Sequence, residues 1–460
     1  MTTSICAVGV AAPSWRLPTK DVNTAWGRGG GRGQSAVCAP DEDALTLAWA
    51  AADRAMAADG NGSPIDGLWW GTSRPPFAEG PSWTHLAATL RLGDDLDGSL
   101  VSGSTHAGVE ALRAAADAVS AGRVTTALVI CSDAIVPATG GSLEAVAGAA
   151  AVAVILRATG PAPITSAVTR WLPVLDRYRG DREDETRDAY DGRLFREEIY
   201  LPLLGGATAG READRWSLPD PDGRLAAALA KRIGAETVSA PARAELGDTG
   251  AAAALVGAAG ALGEVGTLAV VGYGGGRATV VEVQVDDPVP GADRVGADLA
   301  GGQVTTYTRA LRSRRLLRPT GESVEMAVPP GSAMFVRGNH ETLGLYGGRC
   351  VDCGTINIPP SIHPVCIGCG SAKFEEHALA RTGSVQTFVI NHTMPQPFEA
   401  PLPLVVVDLD DGARIQLQGA TDGSDIAIGG RVELVLRRYT IERGVPIYGW
   451  KVVPVPEESS

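Results

Sequence analysis

Four cysteines, Cys350, Cys353, Cys366 and Cys369, fall in the spacing CxxC, twelve residues, CxxC. Each CxxC knuckle can present two thiolates to one tetrahedral ion, and the spacer is long enough for a short hairpin to bring the knuckles together. Gly354 and Gly370 follow the knuckles, and Pro359, Pro360 and Pro364 break any helix between them. The pattern predicts a zinc ribbon over residues 346–375. Two disulfides or free buried thiols are the plainer alternative. Four thiolates leave no open coordination position, so the expected zinc is structural.

The 460 residues carry 40 basic and 53 acidic side chains, a net charge of −13, which argues against nonspecific nucleic-acid binding and against anionic membrane surfaces. No apolar run approaches the roughly 18 residues of a membrane span, and no leader pattern opens the chain, so a cytoplasmic protein is expected. Aromatics are only 5% while glycine reaches 58 residues, which points to cores built on close helix–sheet packing. Cys131 lies in the apolar run 127–131 and reads as an inert core thiol.

Residues 1–285 alternate short apolar strands with Ala-rich helices, the signature of an α/β fold. Strands are expected at 5–10, 67–70, 127–132, 151–156 and 268–272. Helices are expected at 43–58, 107–121, 224–233 and 250–262. A loop, an Ala-rich helix and a strand recur from Thr105 and again from Gly247, as duplication of one α/β unit would produce, although any α/β protein shows some such likeness. The expected division is 1–165 and 166–285 for two halves, 286–345 for a connector, 346–375 for the ribbon and 376–460 for a barrel. In the connector, 307–317 reads as a basic helix, either a solvated strut or a surface in which Arg309 and Arg312 grip CoA phosphates or an acyl carrier. Five short strands, at 383–390, 404–409, 413–418, 431–436 and 447–453, predict a small OB-type barrel.

From about Gly338 onward the chain resembles the acyl-CoA-associated family that joins a rubredoxin-like zinc ribbon to an OB-fold. The resemblance rests on Gly348-Arg-Cys350-Val-Asp-Cys353-Gly, Pro359-Pro360, Cys366-Ile-Gly-Cys369-Gly-Ser371 and Arg381-Thr-Gly383-Ser-Val385. The N-terminal part resembles the thiolase superfamily in its hydroxymethylglutaryl-CoA synthase and ketoacyl synthase III branch. Gly71-Thr-Ser-Arg-Pro75-Pro76-Phe77-Ala-Glu79, Ser102-Gly-Ser-Thr105-His-Ala-Gly108, Asp176-Arg-Tyr178-Arg179-Gly, Gly247-Asp248-Thr-Gly-Ala251 and Gly272-Tyr273-Gly-Gly-Gly276 carry it. The resemblance implies a duplicated αβαβα fold followed by ribbon and barrel. It implies an acyltransferase- or synthase-type condensing enzyme in a polyketide-like setting. Such an enzyme forms or cleaves a C–C bond of an acyl thioester by aldol or Claisen chemistry. Its substrate carrier would be CoA or the phosphopantetheine of an acyl carrier protein, and its expected assembly a homodimer.

Thr105 stands where that family places its nucleophilic cysteine. Ser217-Leu-Pro-Asp220 contains no histidine where the family has one, and Asp248 stands in place of its asparagine. A hydroxyl gains little from a helix dipole alone and needs an adjacent base. Glu79 is the implied proton carrier, its pKa raised by an apolar loop, with Tyr273 as a hydroxyl donor and the Gly274–Gly275 turn cradling the thioester oxygen. Ser104 or Thr105 as an acylated nucleophile, with His106 beside it, is the acyltransferase alternative. A third possibility is a non-catalytic partner of an active thiolase-like homologue.

Overall fold

The structure, a computed structural model, describes residues 3–188, 192–235, 244–317, 332–394, 400–442 and 444–455. It divides into two compact units, Met1–Leu86 with Leu92–Arg318 and Ala87–Arg91 with Pro319–Ser460. No helix among the described residues is long and apolar enough to cross a membrane.

The first unit is built on a nine-stranded sheet. Its strands are β1 (Thr3–Ala11), β2 (Gly67–Gly71), β3 (Asp97–Val101), β4 (Ala127–Ala134), β5 (Ala149–Arg157), β6 (Ala162–Trp171), β7 (Arg215–Ser217), β8 (Gly266–Gly274) and β9 (Arg277–Val285). The spatial order is β7-β8-β9-β6-β1-β5-β4-β2-β3. From β1 outward, β5 and β4 add antiparallel, and β2 and β3 then add parallel. From β6 outward, β9 and β8 add antiparallel, and β7 then adds parallel. The same order and directions recur, with one strand fewer in the second half, so the duplication expected from the repeated loop–helix–strand pattern is present in the topology. The halves join where Thr3–Ile5 of β1 runs antiparallel to residues of β6.

Helix α1 (Ala44–Asp59) covers the outer face of β1, β5 and β4, and its first turn is fixed by a capping box in which Asp43 accepts from Leu45 and Thr46. Helices α2 (Ala107–Ser120), α3 (Leu201–Thr208), α4 (Leu225–Ile233) and α5 (Ala253–Ala259) complete the layers. Both α2 and α5 touch strands of both halves, so they form the middle layer. The α3 and α4 helices pack with Trp216, Tyr273 and Val280 on the far face. The result is α–β–α–β–α. Glycine makes the middle layer possible: a Cβ on Gly71 would lie 2.5 Å from the Ala107 carbonyl, and one on Gly108 would collide with the Ala251 carbonyl.

The second unit holds the ribbon, β10 (Tyr346–Cys350), β11 (Ile356–Asn357) and β12 (Phe374–Ala378), paired in the order β11-β10-β12. It continues into β13 (Thr382–Asn391), β14 (Leu402–Leu409), β15 (Arg414–Gly419), β16 (Arg431–Glu442) and β17 (Val445–Pro454). These five close into a barrel in the order β13-β14-β15-β17-β16, around Val405, Val407, Leu434, Leu436, Trp450 and Val452.

Candidate functional site

The parallel strands β2, β3 and β4 end on one edge of the first unit, where open α/β sheets usually carry their sites. The turn Ser104–His106 lies there, at the start of α2. Its N–H groups are partly spent inside the turn: Ala107 N donates to the Ser104 carbonyl at 3.1 Å and His106 N to Ser104 Oγ at 3.3 Å. Thr105 Oγ1 donates to the Tyr273 carbonyl at 2.8 Å. The Gly274–Gly276 turn presses on the same residues, and a Cβ on Gly274 would sit 2.6 Å from His106 N and 2.9 Å from Thr105 N. Gly275 and Gly276 have φ of +56° and +69°, the left-handed region that favours glycine.

His106 is buried, and its ring meets Thr279 and Glu110. Its Nε2 lies 2.7 Å from Thr279 Oγ1, and its Nδ1 lies 3.9 Å from Glu110 Oε2. Burial, followed by the Arg277 guanidinium, holds its pKa down at about 4. It is therefore no base for Thr105, whose proton is already given to a backbone carbonyl. Glu79 is exposed, because its loop turns the side chain to solvent rather than against Pro75–Phe77. The apolar burial expected of that loop is absent at Glu79. Tyr273 also departs from expectation: its hydroxyl donates to Asp176 Oδ2 at 2.5 Å, within a ring cluster with Tyr200 and Phe195. Burial and the Asp176 charge push that phenol's pKa far up, so it is committed as a structural donor.

Asp248 is buried, with Oδ1 accepting from Gly250 N at 3.0 Å and Oδ2 at 2.7 Å from Arg177 Nη1. At that distance the latter contact is an ion pair even though its N–H vector is poorly aimed. Asp188 lies 3.8 Å from Arg177 Nε, and Asp133 accepts from Ser73 Oγ at 2.5 Å and Ala251 N at 2.9 Å. Burial pushes the Asp133 and Asp188 carboxyls up, while the Arg177 guanidinium pulls Asp188 back. Asp133, Asp176 and Arg177 were not singled out as functional by sequence. The available signals were a charge at the end of the apolar strand Ala127–Ala134 and the run Asp176–Gly180, which carries part of the family resemblance. His85, in the helix Ser82–Thr89, is buried edge-on to Phe77. Cys131 is buried, as expected, and donates to the Gly108 carbonyl at 3.4 Å.

The basic helix α6 (Tyr307–Ser313) is shorter than the expected 307–317, and Arg315 just beyond it has φ +61°. Arg309 stacks on Trp15 at 4.5 Å, while Arg312 is exposed.

In the second unit the Sγ atoms of Cys350, Cys353, Cys366 and Cys369 all lie within 4.8 Å of one another. The Cys350–Cys369 and Cys353–Cys366 separations are 3.6 and 3.5 Å. A tetrahedron with Zn–S of about 2.3 Å has edges of about 3.8 Å, so the donor set fits zinc. Each knuckle turns through a glycine: Gly354 N donates to Cys350 O at 2.8 Å and Gly370 N to Cys366 O at 2.9 Å. Gly368 N also donates to Cys366 Sγ at 3.3 Å, an outer-shell bond of the kind that orients a ligand.

Comparison with known proteins agrees with both units. The family described as "ChsH2, rubredoxin-like zinc ribbon domain" matches residues 343–375, and "ChsH2, C-terminal OB-fold domain" matches residues 376–437. A DUF35 domain-containing scaffold protein of Methanocaldococcus jannaschii is 37% identical over 117 residues, 24% of this chain and 82% of that protein. A hydroxymethylglutaryl-CoA synthase of Methanosphaera stadtmanae is 26% identical over 250 residues, 50% of this chain and 72% of that one. The Thermococcus sibiricus hydroxymethylglutaryl-CoA synthase is 34% identical over 154 residues, 33% of this chain and 44% of that one. Among solved structures, MvaS in complex with 3-hydroxy-3-methylglutaryl coenzyme A superimposes with a TM-score of 0.57 at 22% identity, over 72% of this chain and 94% of that one. The hydroxymethylglutaryl synthase of the curacin biosynthetic pathway, in complex with acetyl donor-ACP, gives 0.58 at 18% identity, over 68% and 88%.

Proposed function

Because the chain belongs, through its C-terminal part, to the family of DUF35 domain-containing scaffold proteins, and carries a hydroxymethylglutaryl-CoA synthase-like thiolase fold ahead of it, we propose that it acts on acyl thioesters without a cysteine acyl-enzyme. The reaction is aldol- or Claisen-type formation or cleavage of a C–C bond, and the acyl group arrives on CoA or on the phosphopantetheine of an acyl carrier protein. The observation that carries this is the Ser104–His106 turn packed on the Gly274–Gly276 turn, with the Thr105 hydroxyl donated to the Tyr273 carbonyl. Such a turn pair would offer the N–H groups of Thr105 and Gly275 to a thioester or enolate oxygen, where preorganised donors stabilise developing charge. Glu79 moves the proton from its exposed loop, and Arg309 and Arg312 meet the carrier's phosphates. The zinc ribbon is structural, the active species is a homodimer in the cytoplasm, and the setting is a polyketide-like biosynthesis.

Incubation with acyl-CoA and acyl-carrier thioesters tests this. Turnover is expected in the wild type and at least a tenfold loss in Glu79→Gln, since general acid–base catalysis contributes about 10²–10⁴. Unchanged turnover in the variant removes Glu79 from the mechanism. An acyl adduct on Ser104 or Thr105 in the intact-protein mass would replace this reading with acyl transfer.

The commitment of the Thr105 proton to Tyr273, and the word scaffold in the name of one relative, favour a second reading: a non-catalytic partner of a thiolase-like enzyme. Activity of the pure chain refutes that reading. Co-purification with an enzyme that loses activity without this chain supports it.

A further inference from the structure

Arg113 Nη1 donates to Thr169 Oγ1 at 3.2 Å, Thr169 Oγ1 is 2.7 Å from Thr279 Oγ1, and Thr279 Oγ1 is 2.7 Å from His106 Nε2. A guanidinium can only donate. If Thr169 accepts from Arg113 and donates onward to Thr279, then Thr279 donates to His106, and every hydroxyl proton in the row has a partner. The reverse direction leaves the Thr169 hydroxyl proton without one in this row. The direction that pairs every hydroxyl proton within the row ends on His106 Nε2 as an acceptor. The imidazole proton then sits on Nδ1, facing the Glu110 carboxylate at 3.9 Å.

The surroundings keep the ring neutral. On its own helix stand Glu110 and Arg113, and across from it on β9 stands Arg277. Glu110 is held by Arg113 Nη2 at 2.7 Å and by Arg277 Nη2 at 3.0 Å, so one carboxylate faces two guanidinium groups. An added imidazolium would be repelled as well as desolvated, in line with the depressed pKa of about 4.

Thr279 lies on β9 opposite Gly272 of β8, and Ala278 opposite Tyr273. Thr105 bonds the Tyr273 carbonyl on β8, and His106 bonds Thr279 on β9. Two successive residues of one turn thus hold both strands of the hairpin whose tip is Gly274–Gly276. We propose that His106 is a positioning residue which, as the neutral Nδ1–H tautomer at the end of the Arg113–Thr169–Thr279 row, clamps the β8–β9 hairpin onto the start of α2. Its importance for acyl-thioester chemistry rests on the reading above; the tautomer and the clamp do not.

The test uses the full chain loaded with zinc and labelled with ¹⁵N. Long-range ¹H–¹⁵N spectra separate the six imidazoles, and His106→Gln identifies the signal that disappears. The expected signal is a ring protonated at Nδ1, bare at Nε2 and unchanged from pH 8 down to pH 5. A ring protonated at Nε2, or one titrating near the ordinary histidine pKa, overturns the proposal. Thr279→Val, which keeps shape and removes the hydroxyl, is expected to mix the tautomers and to shift the Gly274 and Gly275 amide signals. His106→Gln, with an amide oxygen able to accept from Thr279, is expected to leave those amides near their wild-type positions, whereas His106→Leu moves them. Equal shifts in the Gln and Leu variants, or none with Thr279→Val, refute the clamp. None of these readouts depends on turnover, so a failed activity assay and a failed clamp are told apart.

Discussion

Gly274→Ala is the sharpest steric test of the turn pair. The added methyl would overlap Thr105 Oγ1 and lie 2.6 Å from His106 N and 2.9 Å from Thr105 N. The hydroxyl could rotate aside, but two of the three obstacles are backbone atoms. Ordinary contact begins near 3.4 Å, so the start of α2 or the hairpin tip has to move by several tenths of an ångström. That movement would stretch both the Thr105–Tyr273 and the His106–Thr279 hydrogen bonds. Overpacking of this kind costs about 1–3 kcal/mol. For a unit of this size that corresponds to a drop in Tm of roughly 2–6 °C. Gly206→Ala is the control: nothing lies within 4 Å of its Cβ position in α3, and alanine there should hold or raise stability, since glycine inside a helix costs about 0.5–1 kcal/mol. Thermal unfolding followed by circular dichroism measures both. If Gly274→Ala melts with the wild type, the packing of the two turns is not as described, and the oxyanion role drawn from it falls too.

Three further outcomes are expected. His106 has a folded pKa of about 4 against an ordinary 6.5, so the unfolded chain binds its proton first as the pH falls. Its stabilising contribution is present above pH 6.5 and is lost toward pH 4. Urea midpoints at pH 7 and 4.5 should show the wild type losing about 2 kcal/mol more than His106→Gln, and equal losses refute the buried neutral ring. Asp248→Asn keeps the acceptor for Gly250 but leaves Asp188, at 3.8 Å, as the nearest ion-pair partner of Arg177 among the described residues; a loss of about 3 kcal/mol is expected, largely recovered by adding Arg177→Met, and a neutral single variant argues against the pair. A strong chelator should release one zinc per chain and make the four ribbon thiols reactive, and thiol counts that do not change on chelation refute the site.

What the sequence made legible follows from how local each signal is. Apolar runs located β1, β2, β4, β5 and β8, and α1 and α2, to within a few residues, because both periodicity and termini are written in consecutive positions. The barrel strands were found for the same reason, with Gly and Asp turns between them. By contrast β6 went unread, because it alternates half-buried and exposed positions and carries Thr, Ser and Arg. The segment 192–208 went unread because Pro202, Gly205 and Gly206 look like breakers, although proline sits in the first turn of α3, where it is tolerated. The four cysteines were legible because spacing alone brings their thiolates together. The first unit's polar groups were not. Asp176 meets Tyr273 across 97 positions, His106 meets Thr279 across 173, and Asp133 meets Ala251 across 118. In each pair one partner reads as ordinary strand or loop, and only the fold decides which way its side chain turns. The motifs around Thr105, Asp248 and Tyr273 lie at one edge of the sheet, where the hydrogen bonds and ion pair of those side chains run to partners distant in sequence. Tyr273 and Asp248 belong to buried pairs that hold the loops, and the Thr105 hydroxyl belongs to the hairpin. With the Thr105 hydroxyl given to the Tyr273 carbonyl, the proposed chemistry is built on N–H groups of the two turns rather than on a side-chain nucleophile.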